Sequence, residues 1–161
     1  MNAQLLDGKI LAAQLKDSLK KEVERLKSAT GDVPQLINVM VGNDSGACAY
    51  ANSQKRVAQE IGIQYELKNL PQDVSQKDLT QEIIHLSRDP KVNGILVQLP
   101  LPEQIAARAV FEAMPQDKDV DGFGVSNWGR LFLARSPDEL DHCFVPCTPL
   151  GVLRMIQSAG I

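Results

Sequence analysis

The sequence predicts an α/β domain, three-layer αβα, with a largely parallel sheet built from βαβ units and no Rossmann dinucleotide-binding domain in the chain. Two observations carry this. Apolar residues at helical spacing alternate three times with short β-branched runs, the signature of right-handed crossovers onto a parallel sheet. Two of those runs are mostly apolar throughout, as strands covered on both faces must be. At 161 residues the chain suits one domain with a real core.

The first helix is carried by Ile10, Leu11, Leu15, Leu19, Val23 and Leu26, with Lys and Glu on the opposite face. Asp7 is its cap, and Gly31 with Pro34 its stop. Residues 36–41 form a buried strand ending at Gly42. The turn Gly42-Asn43-Asp44-Ser45-Gly46 then opens a helix over 47–61, which Gly62 ends. A strand over 65–70 is closed by Pro71. Ser75 caps a helix bearing Leu79, Ile83, Ile84 and Leu86, which Asp89-Pro90 terminates. Residues 94–99 give the cleanest apolar strand, stopped by Pro100 and Pro102. A helix over 104–114, a polar turn at 115–119, a short helix over 127–133 and an acidic loop follow. Thr148-Pro149 opens the last helix, with Val152, Leu153 and Ile156 on its apolar side.

Composition narrows the function classes. The formal charge is −3 with both signs mixed along the chain, so no basic face for nucleic acid is expected. No apolar run nears the roughly 18 residues that suggest a membrane span. The residues up to Asp7 lack the pattern of a secretory signal. A cytoplasmic location is expected, or the mitochondrial matrix if a transit peptide has been removed. Cys48, Cys143 and Cys147 make no disulfide pattern. His142 beside Cys143 invites a zinc reading, but a second ligand pair is missing and Pro146 suits a fixed turn, so buried or idle thiols are expected and no metal site.

In open α/β sheets ligands settle beyond the carboxyl ends of the strands, which directs attention to three segments. Gln98 interrupts an apolar strand near its end, where an amide costs desolvation unless bonded. It either satisfies neighbouring backbone or points at a ligand or a catalytic side chain. Asp117, Asp119 and Asp121 make either a solvated acidic turn or a carboxylate that accepts paired N–H donors; calcium lacks the further oxygen ligands it needs. Tyr50, early in the second helix, either packs or stacks its ring on a planar ligand. His85 reads as a surface residue, as does His142. Gly122-Phe123-Gly124 has two glycines of a dinucleotide fingerprint but Asn127 at the third position, and reads as a turn.

Taken together, several strings resemble a known family. They are Val41-Gly42-Asn43, Tyr50 leading to Glu60-Ile61-Gly62-Ile63, Gly94-Ile95-Leu96-Val97-Gln98-Leu99-Pro100-Leu101-Pro102, Lys118-Asp119-Val120-Asp121-Gly122-Phe123, Asn127-Trp128-Gly129-Arg130 and Pro146-Cys147-Thr148-Pro149-Leu150-Gly151. This order is similar to the N-terminal, folate-binding catalytic domain of the bifunctional methylenetetrahydrofolate dehydrogenase/methenyltetrahydrofolate cyclohydrolase family. The resemblance implies a tetrahydrofolate derivative as substrate, bound by Tyr50, Val97, Gln98, Leu99 and Asp121. Tyr50 would stack on the folate rings, Gln98 would hydrogen-bond a catalytic lysine, and Asp121 would hold the pterin edge. It also implies a homodimer and an NAD(P) site on a Rossmann domain expected as covalent neighbour, with no cofactor-binding residue in this chain. Residues 1–147 would be the catalytic domain and 148–161 a helix leading toward that absent neighbour, its apolar side exposed without it.

The chain departs from the family pattern at its most chemical position. The family has Tyr-x-x-x-Lys, and here the fourth residue after Tyr50 is Gln54. Glutamine can donate a hydrogen bond but neither exchanges a proton near neutral pH nor brings a positive charge. Lys55 is adjacent, yet one helical step turns a side chain about 100° away, so it would substitute only after a one-residue shift. Ala47 stands where the family often has serine. Two expectations result: an enzyme half of low or no activity alone, or a non-catalytic folate-binding or interaction module.

Overall fold

The computed structural model describes residues 5–160, the His142 side chain excepted. Expectations for residues 1–4, for Ile161 and for that side chain lie outside the described residues. Helix α1 (Gly8–Thr30) precedes strand β1 (Gln35–Val41); α2 (Ser45–Ile61) leads to β2 (Gln64–Leu70), and α3 (Gln76–Arg88) to β3 (Gly94–Val97). The strands are all parallel in the order β2-β1-β3. The first crossover steps one way across the sheet and the second steps back over β1. Because such crossovers are right-handed, the reversal puts α2 and α3 on opposite faces. The layering expected from the sequence is the layering found.

Strand alternation divides the core accordingly. Ile37, Val39 and Val41 of β1 and Ile95 and Val97 of β3 face Leu79, Ile83 and Leu86 of α3, with Val110 and Met114 closing the cluster. The even-numbered residues, Asn38 among them, face α2, whose small Ala47, Ala51 and Ala58 are buried. Helix α1 packs outside α2.

The later elements are α4 (Ala107–Glu112), α5 (Val125–Leu133), a 3₁₀ turn (Pro137–His142) and α6 (Cys147–Ser158). Helix α4 is shorter than the expected 104–114. The Ile105 amide donates to the Pro102 carbonyl and the Ala106 amide to the Gln76 side chain, so the first turn of that segment is bonded elsewhere. β3 ends at Val97 rather than Leu99. The Gln98 amide still donates to the Val39 carbonyl, but Pro100 has no N–H with which to continue. A single parallel bridge between Ile95 and Asp119 lays the 119–121 segment along β3, toward the strand's carboxyl end.

Candidate active site

At the carboxyl end of β3 lies a hollow of about 190 Å³, closed on one side by α2 and on another by the first turn of α6. Asp44 accepts the Ala47 amide at 2.8 Å and caps α2. Four residues apart on that helix, Tyr50 and Gln54 share one face, and both line the hollow. Val97, Gln98, Leu99 and Asp121 line it too, so the residues singled out in the sequence converge on one space. Lys55 is exposed and is not among the lining residues. His85 is exposed on α3.

The three aspartates separate into different jobs. Asp119 is 1% exposed. Its Oδ1 accepts the Phe123 amide, and its Oδ2 accepts the Gly124 amide at 2.7 Å and Asn127 Nδ2 at 2.9 Å. Asn127, fully buried, in turn accepts the Phe144 amide on its Oδ1. This buried latch shapes the 119–124 turn, in which Gly122 takes a φ of +66° against the Phe144 carbonyl. Asp117 is exposed. Asp121 faces the hollow, and its carboxyl is pushed up to about 6, by burial first and by the nearby Asp119 charge second. Gly122-Phe123-Gly124 belongs to this turn, as expected.

One residue the sequence reading passed over organises the other wall. Asn38, on the central strand, is fully buried. Its Nδ2 donates to Gln54 Oε1 at 2.9 Å, to the Tyr65 hydroxyl at 2.8 Å and, at 3.3 Å, to Gln98 Oε1. Gln98 Nε2 donates to the Leu99 carbonyl at 3.2 Å, so this amide both satisfies backbone and lines the hollow. The Tyr65 phenol is raised by burial, against the lowering effect of Asn38. A polar residue inside the apolar run 36–41 was the available signal, the same one that drew attention to Gln98.

Of the alternatives expected for Cys147, a buried or an idle thiol, burial is not found: the residue lines the hollow from the start of α6, its thiol pushed up by partial desolvation first and then by the Asp121 charge. Its position is set by where α6 docks, which spacing does not encode. Cys48 and Cys143 are half-buried. Among the described residues no cluster of three or more His, Cys, Asp or Glu could hold a metal ion.

The described lining offers two aromatic rings (Tyr50 and Phe123), the apolar Leu96, Val97, Leu99, Pro146 and Pro149, the carboxamides of Gln54 and Gln98, the Asp121 carboxyl, the Cys147 thiol and the Thr148 hydroxyl. No lysine, arginine or histidine is among the described lining residues. The rings and the carboxylate of such a surface suit a planar group bearing N–H donors, and the surface carries no cation.

Comparison with known proteins gives the family and the fold. Residues 6–121 match the family model described as tetrahydrofolate dehydrogenase/cyclohydrolase, catalytic domain. The bifunctional protein FolD of Halalkalibacterium halodurans is 46% identical over all 161 residues, and that of Moorella thermoacetica 44%. The chain spans about half the length of these relatives, 55% in both cases. Among solved structures, the FolD methylenetetrahydrofolate dehydrogenase/cyclohydrolase of Campylobacter jejuni superposes with a TM-score of 0.91 at 38% identity, over 98% of this chain and 54% of that one. The Trypanosoma brucei enzyme, solved with NADP and an inhibitor, gives 0.90 at 29% identity, over 100% and 54%. The chain therefore belongs to the tetrahydrofolate dehydrogenase/cyclohydrolase family, and its fold is that of the family's catalytic domain.

Proposed function

We propose that this chain is the folate-binding half of a methylenetetrahydrofolate dehydrogenase/methenyltetrahydrofolate cyclohydrolase, able to hold a tetrahydrofolate derivative and impaired in turning it over. The observation that carries the reading is the convergence of Tyr50, Gln54, Gln98 and Asp121 on one hollow. In this reading the Tyr50 ring stacks on the folate, Val97 and Leu99 pack its edge, and the Asp121 carboxylate accepts the paired N–H groups of the pterin.

Gln54 stands where the family places its lysine. A carboxamide can orient a ligand but cannot pass a proton to or from the one-carbon bridge. Gln98, whose implied partner is that lysine, instead shares the Asn38 donor with Gln54. Lys55 points off the required face and does not replace it. The described residues also do not fit a nicotinamide dinucleotide. The only G-x-G lies in the 119–124 turn with no strand leading in, and Gly122 abuts the Phe144 carbonyl. No hydride step is assigned to this chain; a Rossmann-type domain would have to supply it.

A second reading, a non-catalytic folate-binding module, is favoured by Gln54 and the lack of a lining cation. Calorimetric titration with 5-formyltetrahydrofolate tests binding, and absence of heat at millimolar ligand would sink both readings. Hydrolysis of methenyltetrahydrofolate, which needs no nicotinamide, separates them. Little or no rate above the uncatalysed one is expected, and a rate like that of a lysine-bearing relative would refute the assigned effect of Gln54.

A further inference from the structure

We propose that Asn38 is a positioning residue of this site, fixing which end of the Gln54 carboxamide is offered to the ligand; the inference rests on the folate reading for its ligand and on geometry for the rest. A glutamine amide can present either its oxygen or its N–H₂ to a pocket. Here the choice is made from beneath. Asn38 Nδ2 donates to Gln54 Oε1 at 2.9 Å, which turns that oxygen toward the sheet and leaves the Gln54 N–H₂ for the hollow. The same Nδ2 reaches Gln98 Oε1 at 3.3 Å and the Tyr65 hydroxyl at 2.8 Å. Two hydrogens serve three acceptors, and the two short contacts are those to Tyr65 and Gln54. Gln54 is therefore the pocket residue held more firmly.

Stability does not account for Asn38. It is fully buried between Ile37 and Val39 in the central strand, and its Oδ1 has no partner. A buried amide with an orphaned oxygen lowers stability relative to an apolar residue of its size. What it provides is orientation: a donor aimed at two carboxamides on two different elements, one on α2 and one after β3. The consequence is a neutral lining with one free carboxamide donor, the Gln54 N–H₂, since the Gln98 N–H₂ already donates to the Leu99 carbonyl.

The experiment uses the full chain and two apolar variants, Asn38→Leu and the smaller, β-branched Asn38→Val. Three quantities are read: melting temperature, the side-chain N–H₂ signals of Gln54 in ¹⁵N-labelled protein without ligand, and the dissociation constant for 5-formyltetrahydrofolate. Expected are an unchanged or higher melting temperature, a Gln54 amide pair that moves to solvent-like shifts and gains mobility, and binding weaker by about tenfold. If Asn38 acts through Gln54, Asn38→Leu with Gln54→Ala binds no more weakly than Gln54→Ala alone. A merely structural role predicts additive losses and an undisturbed Gln54 signal, and either result would overturn the proposal. Wild-type chain that binds no probe would overturn the folate reading, while the ligand-free amide signals would still decide the positioning of Gln54.

Discussion

Asp121 is where burial and function pull against each other. Its carboxyl is raised from an ordinary 3.8 to about 6. Between those values the folded chain keeps a proton that the unfolded chain has lost, so stability falls as pH rises through the window and the cost is complete above it. Asp121→Asn should therefore raise the melting temperature of the ligand-free protein at pH 7. The gain should be roughly 1 kcal/mol, after discounting for the solvent that still reaches the group. The same change should weaken folate binding, and wild-type affinity should improve as pH rises through about 6 because the ionised form accepts the N–H pair. Calorimetry at pH 5 and pH 7.5 checks the sign; equal affinities would count against the role given to Asp121. At Gln54, substitution to Lys should raise methenyl hydrolysis by on the order of 10²–10⁴-fold. The Asn38 amide must then turn its free Oδ1 toward the ammonium.

Two elements place these residues. Helix α2 holds Tyr50 and Gln54 one turn apart and is capped at its start by Asp44, whose Oδ1 accepts the Ala47 amide. Asp44→Ala should cost about 1 kcal/mol, read as a lower melting temperature, with a smaller loss of affinity as the first turn frays near Tyr50. The 119–124 turn is less forgiving. A Cβ on Gly122 would lie 2.3 Å from the Phe144 carbonyl oxygen, at a φ of +66°. Gly122→Ala should cost roughly 2–4 kcal/mol through strain and the displaced turn, and should disable binding because Asp121 moves with it. An alanine variant with wild-type melting and affinity would contradict the latch described around Asp119.

Across the molecule, burial is uneven. β1, β3 and α3 supply the apolar cluster, whereas neither α1 nor α6 has a fully buried residue. On α1, Ile10 and Leu15 are more than half exposed, and on α6 Val152 and Leu153 are nearly so. Hydrogen exchange should follow this division: slowest amides in β1, β3 and α3, and early opening of α1 and α6 as separable units. Uniform protection across α1 and β1 would show that packing counts for less here than burial implies. No described helix is long and apolar enough to cross a membrane.

Local chemistry was enough for much of this. Alternating periods and turn residues determined the α/β class, the order of the first three strand–helix units and their caps at Asp7 and Ser75. The strings around Tyr50, Gln98 and Asp121 carried the family, because helix periodicity, strand apolarity and glycine turns act between near neighbours in the chain. Other features required distant segments to meet. Asn38 gained its meaning only when β1, α2, β2 and the end of β3 came within hydrogen-bond reach of one another. Asp119 and Asp121, two residues apart, were sorted into latch and lining by which of them turned toward Asn127. Cys147 entered the hollow because α6 docks there. Hydrogen-bond partners and burial depend on the packing of elements far apart in sequence, and that packing is decided in three dimensions.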